Sequence, residues 1–305
     1  NENKTIKKVV SDYKKELPDA VIYVYDNNST DGTDKIAAQA GAIVRYEYQQ
    51  GKGNVIRRMF RDIDAECYVI TDGDDTYPAG AAVEMIKKIV ERNADMVVGD
   101  RLSSTYFIQN KRRFHNFGNA LVRKSINFFF HTDIKDIMTG YRAFSYQFVK
   151  SFPVLSKGFE IETEMSIHAA DKNMHVENVI IDYRDRPQGS QSKLNTYSDG
   201  VKVLSTIARF YRTYRPMAFF GGMSLVFGVV SVVMFIPIFM TYLQIGTVPR
   251  YPTLFVSGFI MLAAIQSFFA GMILHTINQK NRQDFEMELH RINDQLKKLL
   301  ENGCG

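Results

Sequence analysis

Three carboxylates follow a short apolar run in Val69-Ile70-Thr71-Asp72-Gly73-Asp74-Asp75-Thr76-Tyr77-Pro78. The run is rich in β-formers and a proline ends it, which predicts a strand with acid gathered at its carboxyl end. Open α/β sheets bind ligands just beyond that end of their strands. Asp72 and Asp74, two apart on an extended chain, point the same way. Such a pair repels itself unless a cation lies between it and an anionic ligand, so a hard divalent ion bridging protein and phosphate oxygens is expected. The competing reading is an acidic turn in which Asp75 or Thr76 caps a helix starting near Pro78.

Other loops carry groups suited to a nucleotide diphosphate. The run Ala20–Tyr25 empties into Asp26-Asn27-Asn28-Ser29-Thr30-Asp31-Gly32-Thr33, where Asp26 and Asn27 are placed to read a base or ribose. Gly51-Lys52-Gly53 opens a helix, with glycine-flanked backbone and a cation for phosphate. Each alone is also an ordinary cap or a solvated charge. Further on, Tyr183-Arg184-Asp185-Arg186-Pro187-Gln188-Gly189-Ser190-Gln191-Ser192-Lys193 offers the cationic donors that adjacent phosphates require. No aromatic platform interleaved with basic residues accompanies it, so nucleic acid is not the expected anion.

The elements that must hold these groups alternate. Strands are predicted at Ala20–Tyr25, Ile43–Tyr48, Cys67–Thr71 and Met96–Gly99. Helices are predicted around Ile6, Val9, Val10 and Tyr13, from Asp34, from Gly53, and over Ala79–Arg92. That alternation argues for an α/β fold with a mostly parallel, Rossmann-like sheet.

The 305 residues exceed one small domain, and a net charge of +5 admits anionic partners without choosing among them. The mean hydropathy of −0.19 averages two unlike parts. Residues before about Arg215 are mixed and charged, whereas Met217–Leu243 and Leu254–Ile277 are long enough and apolar enough to cross a bilayer. Basic residues stand before the first span and after the second, at Lys280 and Arg282, which predicts both ends on the cytoplasmic side. Pro237 is a candidate kink in the first span. Two basic amphipathic stretches fit a bilayer surface: Lys111-Arg112-Arg113 with Phe114 to Phe130, and Tyr197–Arg215. Beyond Asn281, Phe285, Leu289, Ile292, Leu296 and Leu299 step by four and three. That seam predicts self-association, against packing on the chain's own domain. Two cysteines, Cys67 and Cys304, build no disulfide framework, which fits a reducing compartment. The chain opens on Asn1-Glu2-Asn3 and a helix rather than on a signal peptide.

Taken together, Asp26-Asn-Asn-Ser-Thr-Asp-Gly-Thr33, Gly51-Lys-Gly53, Asp72-Gly-Asp-Asp-Thr-Tyr-Pro78 and Gly99-Asp-Arg101 resemble the inverting GT-A glycosyltransferases. That group includes dolichol-phosphate mannose synthase and the bacterial polyprenyl-phosphate glycosyltransferases. Asp136 to Arg142 resembles the family's segment on the sugar and acceptor side of the cleft, Gly158 to Glu164 its acidic helix start, and Arg184 to Lys193 its phosphate loop. Asn1-Glu2 resembles the end of a Tyr-Asn-Glu motif whose strand is absent from this chain. Thr76 stands where mannose-synthase relatives often have glutamine, which leaves a third metal contact open. Read from the residues alone, Asp136 and Arg142 are equally an ion pair, and Glu160, Glu162 and Glu164 helix-start charges.

The resemblance implies a GT-A domain over 1–195, a juxtamembrane helix over 196–216, two transmembrane helices over 217–277 and a cytoplasmic helix over 278–305. It implies catalytic roles for Asp72, Asp74, Asp136 and Arg186, with Mg2+ or Mn2+ on Asp72 and Asp74. Donor contacts fall to Glu2, Asp26, Asn27, Lys52 and Asp72. Acceptor-phosphate contacts fall to Arg101, Arg112, Arg113, Arg142, Arg184, Arg186, Ser192 and Lys193. The implied reaction moves a sugar from a nucleotide sugar, UDP-glucose or UDP-N-acetylglucosamine, to undecaprenyl phosphate at the cytoplasmic face of the inner membrane, in a homo-oligomer serving the cell wall. GDP-mannose transfer of the dolichol-phosphate kind is the alternative. A processive polysaccharide synthase fits less well, because the chain has no tryptophan for a Gln-x-x-Arg-Trp motif and only two spans. A membrane scaffold binding nucleotide or anionic lipid is the non-enzyme reading.

Overall fold

The computed structural model describes residues 1–103, 123–124, 127–128, 130, 132–158, 160–182 and 211–301. It divides into two compact units, Asn1–Asp199 with Phe285–Gly305, and Gly200–Asp284.

In the first unit, α1 (Ile6–Glu16) buries Ile6, Val9, Val10 and Tyr13, the stripe its spacing predicted. Strand β1 (Tyr23–Asp26), helix α2 (Thr33–Gln39) and strand β2 (Ile43–Tyr46) follow, and β1 pairs in parallel with β2. Helix α3 (Lys52–Asp62) leads to β3 (Cys67–Ile70), α4 (Ala81–Arg92) and β4 (Met96–Asp100). Asn93 ends α4 in the left-handed region at φ 51°, a conformation its short polar side chain tolerates. Then come β5 (Arg142–Ser145), α5 (Tyr146–Ser151), α6 (Ile161–Asp171) and β6 (Val176–Ile180).

The expectation of one mostly parallel sheet needs correction. Among the described residues there are two sheets, β1-β2 and a four-stranded one in the order β3-β5-β4-β6. Strand β5 runs antiparallel to both β3 and β4, while β4 and β6 are parallel. The second sheet is therefore mixed. Its strands β4 and β5 are buried at every residue, as strands with a neighbour on each edge and covered faces must be. Met85, Ala82 and Ile89 of α4 pack on Val97 and Ala143 of that sheet, with Val9 and Tyr13 of α1 in the same cluster.

Helix α7 (Pro216–Ile245) and helix α8 (Tyr251–Glu301) contain two segments long and apolar enough to cross a membrane. Within the second unit they meet through Ser231, whose hydroxyl donates to the Ser257 carbonyl at 2.8 Å. Pro237 lies inside α7, which continues across it, and the Thr241 hydroxyl bonds the Pro237 carbonyl. Leu225, Val233 and Phe259 are each at least 60% exposed, so the apolar side chains are turned outward rather than into a core.

From Phe285 onward α8 belongs to the first unit. Its seam is spent within the chain: Phe285 and Ile292 are buried and Leu289, Leu296 and Leu299 half-buried. The Phe285 ring meets His168 edge-on at 5.6 Å and lies under Lys172, and Asn293 accepts from Gln147. The stripe expected to recruit a second copy covers α5 and α6 of its own domain instead.

Candidate active site

Strand β3 ends at Ile70, and the acids beyond it take different paths. Asp72 is half-buried and its Oδ1 lies 2.7 Å from the Lys52 ammonium. Asp74 is buried, accepting the Thr76 hydroxyl at 2.6 Å and the Thr76 N–H at 3.3 Å. Asp75 turns through φ 58° and binds Lys8 of α1 through both oxygens, at 2.7 and 2.6 Å. It is a brace to α1. Neither Asp75 nor Thr76 caps α4, which starts after Gly80 without a side-chain cap.

Lys52 opens α3 and is held between two carboxylates, with Glu162 of α6 at 2.8 Å on the other side. Burial works to lower its pKa, but Asp72 and Glu162 together outweigh it and the net shift is upward. The ammonium is therefore a permanent charge at physiological pH. Its backbone is fixed as tightly. The Gly53 N–H donates to the Lys157 carbonyl at 3.1 Å, and a Cβ on Gly51 or Gly53 would lie 2.1 Å from the carbonyl oxygen of Lys157 or Ser156. The 155–157 turn is itself held by Glu164, whose carboxylate accepts the Leu155 and Ser156 N–H groups, and by Arg57 on the Val154 carbonyl. On the opposite side Asn27 spends its amide on the Glu47 and Gln49 carbonyls and accepts the Gly51 N–H at 2.8 Å. With these bonds Asn27, a donor candidate in the sequence, ties β1 to the Lys52 loop.

Gly140 closes over this ion pair. A Cβ there would lie 2.6 Å from Asp72 Oδ2 and 2.7 Å from Lys52 Nζ, and its N–H donates to the buried Tyr77 hydroxyl. Four residues earlier Asp136, 2% exposed, receives Arg101 through two bonds of 2.7 and 3.2 Å. Arg142 is wholly buried. Its guanidinium donates to the Ile137 and Thr139 carbonyls and the Ser166 hydroxyl, with Met96 Sδ at 3.3 Å. Burial lowers its pKa to about 10, against the pull of Glu162 and Asp136. This is a core placement, which differs from the expected phosphate contact.

At the carboxyl end of β1, Asp26 is buried with Oδ1 accepting the Ser29 N–H at 2.9 Å, while Oδ2 has no partner among the described residues. A buried carboxylate oxygen without a donor is costly unless a ligand supplies one. The first residues join this loop to the acids of β3. The Glu2 N–H donates to Thr33, Asn1 accepts the Thr30 N–H, and the Thr5 hydroxyl donates to the Gly73 carbonyl at 2.7 Å. Glu2 thereby stands beside Gly73.

The structure thus brings together Asp72, Lys52 and Glu162 in one group and Asp136 with Arg101 in another. Arg112, Arg113, Arg184, Arg186, Ser192 and Lys193 lie outside the described residues. The sequence did signal Glu162, but among three glutamates. Residues two apart on a helix face opposite ways, so Glu162 turns inward and Glu164 outward to the 155–156 turn. That sorting requires the true start of α6, which periodicity does not give.

A divalent ion fits this arrangement in a restricted way. Among the described residues no three His, Cys, Asp or Glu side chains converge as a closed cage. Asp72 and Asp74 carry hard oxygens of the kind that would suit a divalent ion.

Residues 1–152 match the family model described as glycosyl transferase family 2. The chain is 35% identical over 223 residues to glycosyltransferase AglJ of Haloferax volcanii, spanning 73% of each protein. It is 28% identical over 204 residues to the low-salt glycan biosynthesis hexosyltransferase Agl6 of the same organism, spanning 66% of this chain and 49% of that one. In fold it is similar to glucosyl-3-phosphoglycerate synthase of Mycobacterium tuberculosis, solved with Mn2+, uridine diphosphate and phosphoglyceric acid. That likeness has a TM-score of 0.52 and 18% identity, covering 69% of this chain and 74% of that one. With a relative of that identity and span, and with acidic groups gathered at the strand ends, the chain belongs to glycosyl transferase family 2 and is a GT-A glycosyltransferase using a nucleotide-sugar donor.

Proposed function

We propose that this enzyme transfers a hexosyl group from a uridine diphosphate sugar to a polyprenyl phosphate in the membrane that α7 and α8 cross, with inversion at the anomeric carbon. The observation that carries the acceptor class is the presence, in one chain with the acidic site, of two apolar helices whose side chains face outward. An acceptor held in the bilayer suits an enzyme anchored there. The basic residues before α7, and Lys280 and Arg282 just beyond the apolar segment of α8, support a cytoplasmic catalytic domain.

The chemistry follows from the acceptor. A phosphate monoester is ionised at neutral pH, so its oxygen attacks the anomeric carbon without a general base. The bond from that carbon to the donor's diphosphate breaks, and the nucleoside diphosphate leaves with the electron pair. A divalent ion on Asp72 and Asp74 would supply Lewis-acid stabilisation of the leaving diphosphate. Lys52, locked in its charged form, adds a fixed cation at the same edge. Asp26 Oδ2 has the acceptor capacity to take a base N–H or a ribose hydroxyl, and Glu2, beside Gly73, is assigned to the donor as well. Arg101, positioned by Asp136, and the cations Arg112, Arg113, Arg184, Arg186 and Lys193 with Ser192 are assigned to the acceptor phosphate. The likeness to the hexosyltransferase Agl6 and to a synthase that binds uridine diphosphate supports a hexose and a uridine nucleotide.

The test is to supply the purified full chain in lipid nanodiscs with UDP-glucose, UDP-N-acetylglucosamine and GDP-mannose, each with undecaprenyl phosphate, and to identify the glycolipid. A hexosyl-phosphoprenol formed from a uridine donor is expected. Formation from GDP-mannose alone would establish the mannose-synthase alternative, and nucleotide-sugar consumption with no lipid product would refute the acceptor.

A further inference from the structure

Arg142 is a buried guanidinium whose hydrogen-bond partners among the described residues are all neutral: two backbone carbonyls, a hydroxyl and a thioether. Removing such a charge from water is unfavourable, and an apolar side chain of similar length would fill the same volume of core. Its placement explains the charge. The carbonyls of Ile137 and Thr139 belong to the loop that carries Asp136 at one end and Gly140 at the other. Ser166, one turn beyond Glu162 on α6, accepts from Arg142 at 2.9 Å and donates to the Glu162 carbonyl at 2.9 Å. One planar fork therefore spans two elements that each deliver a charged group to the site. Glu162 and Asp136 also flank Arg142 electrostatically. The sequence Asp72, Lys52, Glu162, Arg142, Asp136, Arg101 alternates in sign, with direct ion pairs at Asp72–Lys52, Lys52–Glu162 and Asp136–Arg101.

We infer that Arg142 is a positioning residue for glycosyl transfer: by tying the 137–139 carbonyls to Ser166, it fixes Asp136 with Arg101 and Glu162 with Lys52 at a single separation. The inference rests on the donor and acceptor sides proposed above, since the two ion pairs it spaces are assigned to those sides. Misplacement by about an ångström far from the bonds being made is enough to cost turnover while leaving binding intact.

The test uses the full chain in nanodiscs, with the best donor of the panel above and undecaprenyl phosphate. Ser166→Ala removes one arm of the fork and keeps the charge. It is expected to lower kcat about tenfold with donor KM little changed, and Ser166→Thr, which retains the hydroxyl, to restore it. Arg142→Lys, a point charge in place of a fork, is expected to lower kcat about 100-fold while calorimetry with uridine diphosphate and Mn2+ shows wild-type affinity. Wild-type kcat in folded Ser166→Ala, or a loss of diphosphate affinity in Arg142→Lys equal to the loss of turnover, would overturn the inference. A wild-type chain that turns over no donor would instead bring down the function reading, and the inference with it.

Discussion

Gly140→Ala isolates the Asp72–Lys52 pair from the fold. The backbone at Gly140 is outside the left-handed region, so alanine meets no conformational penalty there. Its Cβ, however, would arrive 2.6 Å from Asp72 Oδ2 and 2.7 Å from Lys52 Nζ. Non-bonded atoms settle near about 3.5 Å, so both tips retreat and the ion pair opens by about 1 Å. At an effective dielectric of about 20, two charges at 2.7 Å attract by roughly 6 kcal/mol and at 3.7 Å by roughly 4.5. The loss of about 1.5 kcal/mol corresponds to about tenfold in rate if it is felt in the transition state. Asp72 is 31% exposed, and screening trims that to about fivefold as a lower bound. The same loss is felt by the folded state, so the melting temperature should fall by only a few degrees. The assay is steady-state kcat/KM for the donor, beside a thermal melt in the same nanodiscs. A folded Gly140→Ala enzyme within twofold of wild type would show that the spacing of this pair does not matter to transfer. A large drop in melting temperature would show that Gly140 serves the fold.

Gly53→Ala should be more severe, because its Cβ would strike the Ser156 carbonyl at 2.1 Å, and backbone cannot swing aside. Both kcat/KM, by about 100-fold, and stability, by about 2 kcal/mol, are expected to fall, read from kinetics and melts. Asp74→Asn keeps an oxygen for Thr76 but loses a charge, and should abolish metal-dependent transfer at an unchanged melting temperature; near-normal turnover by a folded Asp74→Asn chain would remove the metal role. Burial, with Lys172 adding to it, pushes His168 from 6.5 down to about 4. The unfolded chain then binds the proton first, so stability is full above about pH 6.5 and falls by up to about 3 kcal/mol as pH drops towards 4. Melts of His168→Leu should be flatter over that window, and an equal slope in both proteins would exclude the histidine.

Much of this was legible because local chemistry and tertiary role agree at certain residues. The stripe Ile6, Val9, Val10, Tyr13 can bury only one way, and the acids after Ile70 can only follow a strand that has ended. Strands β5 and β6 were not legible. Arg142-Ala143-Phe144-Ser145 has no alternation, since β5 is buried on both faces, and no local rule says that it enters antiparallel between β3 and β4. The bracing roles of Asn27, Asp75 and Arg142 were not legible for one reason. A polar side chain near a strand end is as well suited to bracing a loop as to binding a ligand, and only the partner's position separates the two. Arg142 reads as a phosphate contact or a partner of Asp136 until the Ile137 and Thr139 carbonyls are seen to take its guanidinium.

The tail seam makes the same point at larger scale and bears on the site. An a/d stripe encodes burial but not the surface that provides it. Here that surface includes His168 and Lys172 on the second half of α6, against Phe285. The first half of α6 carries Glu162 to Lys52, and Ser166 lies between them on the Arg142 fork. Eleven residues of helix thus answer to three constraints: a tail packed at one end, a guanidinium in the middle and an ammonium at the other. A helix so loaded has little freedom to slide along its axis. The position of Lys52 beside Asp72 is therefore set by packing as much as by the attraction between the two charges.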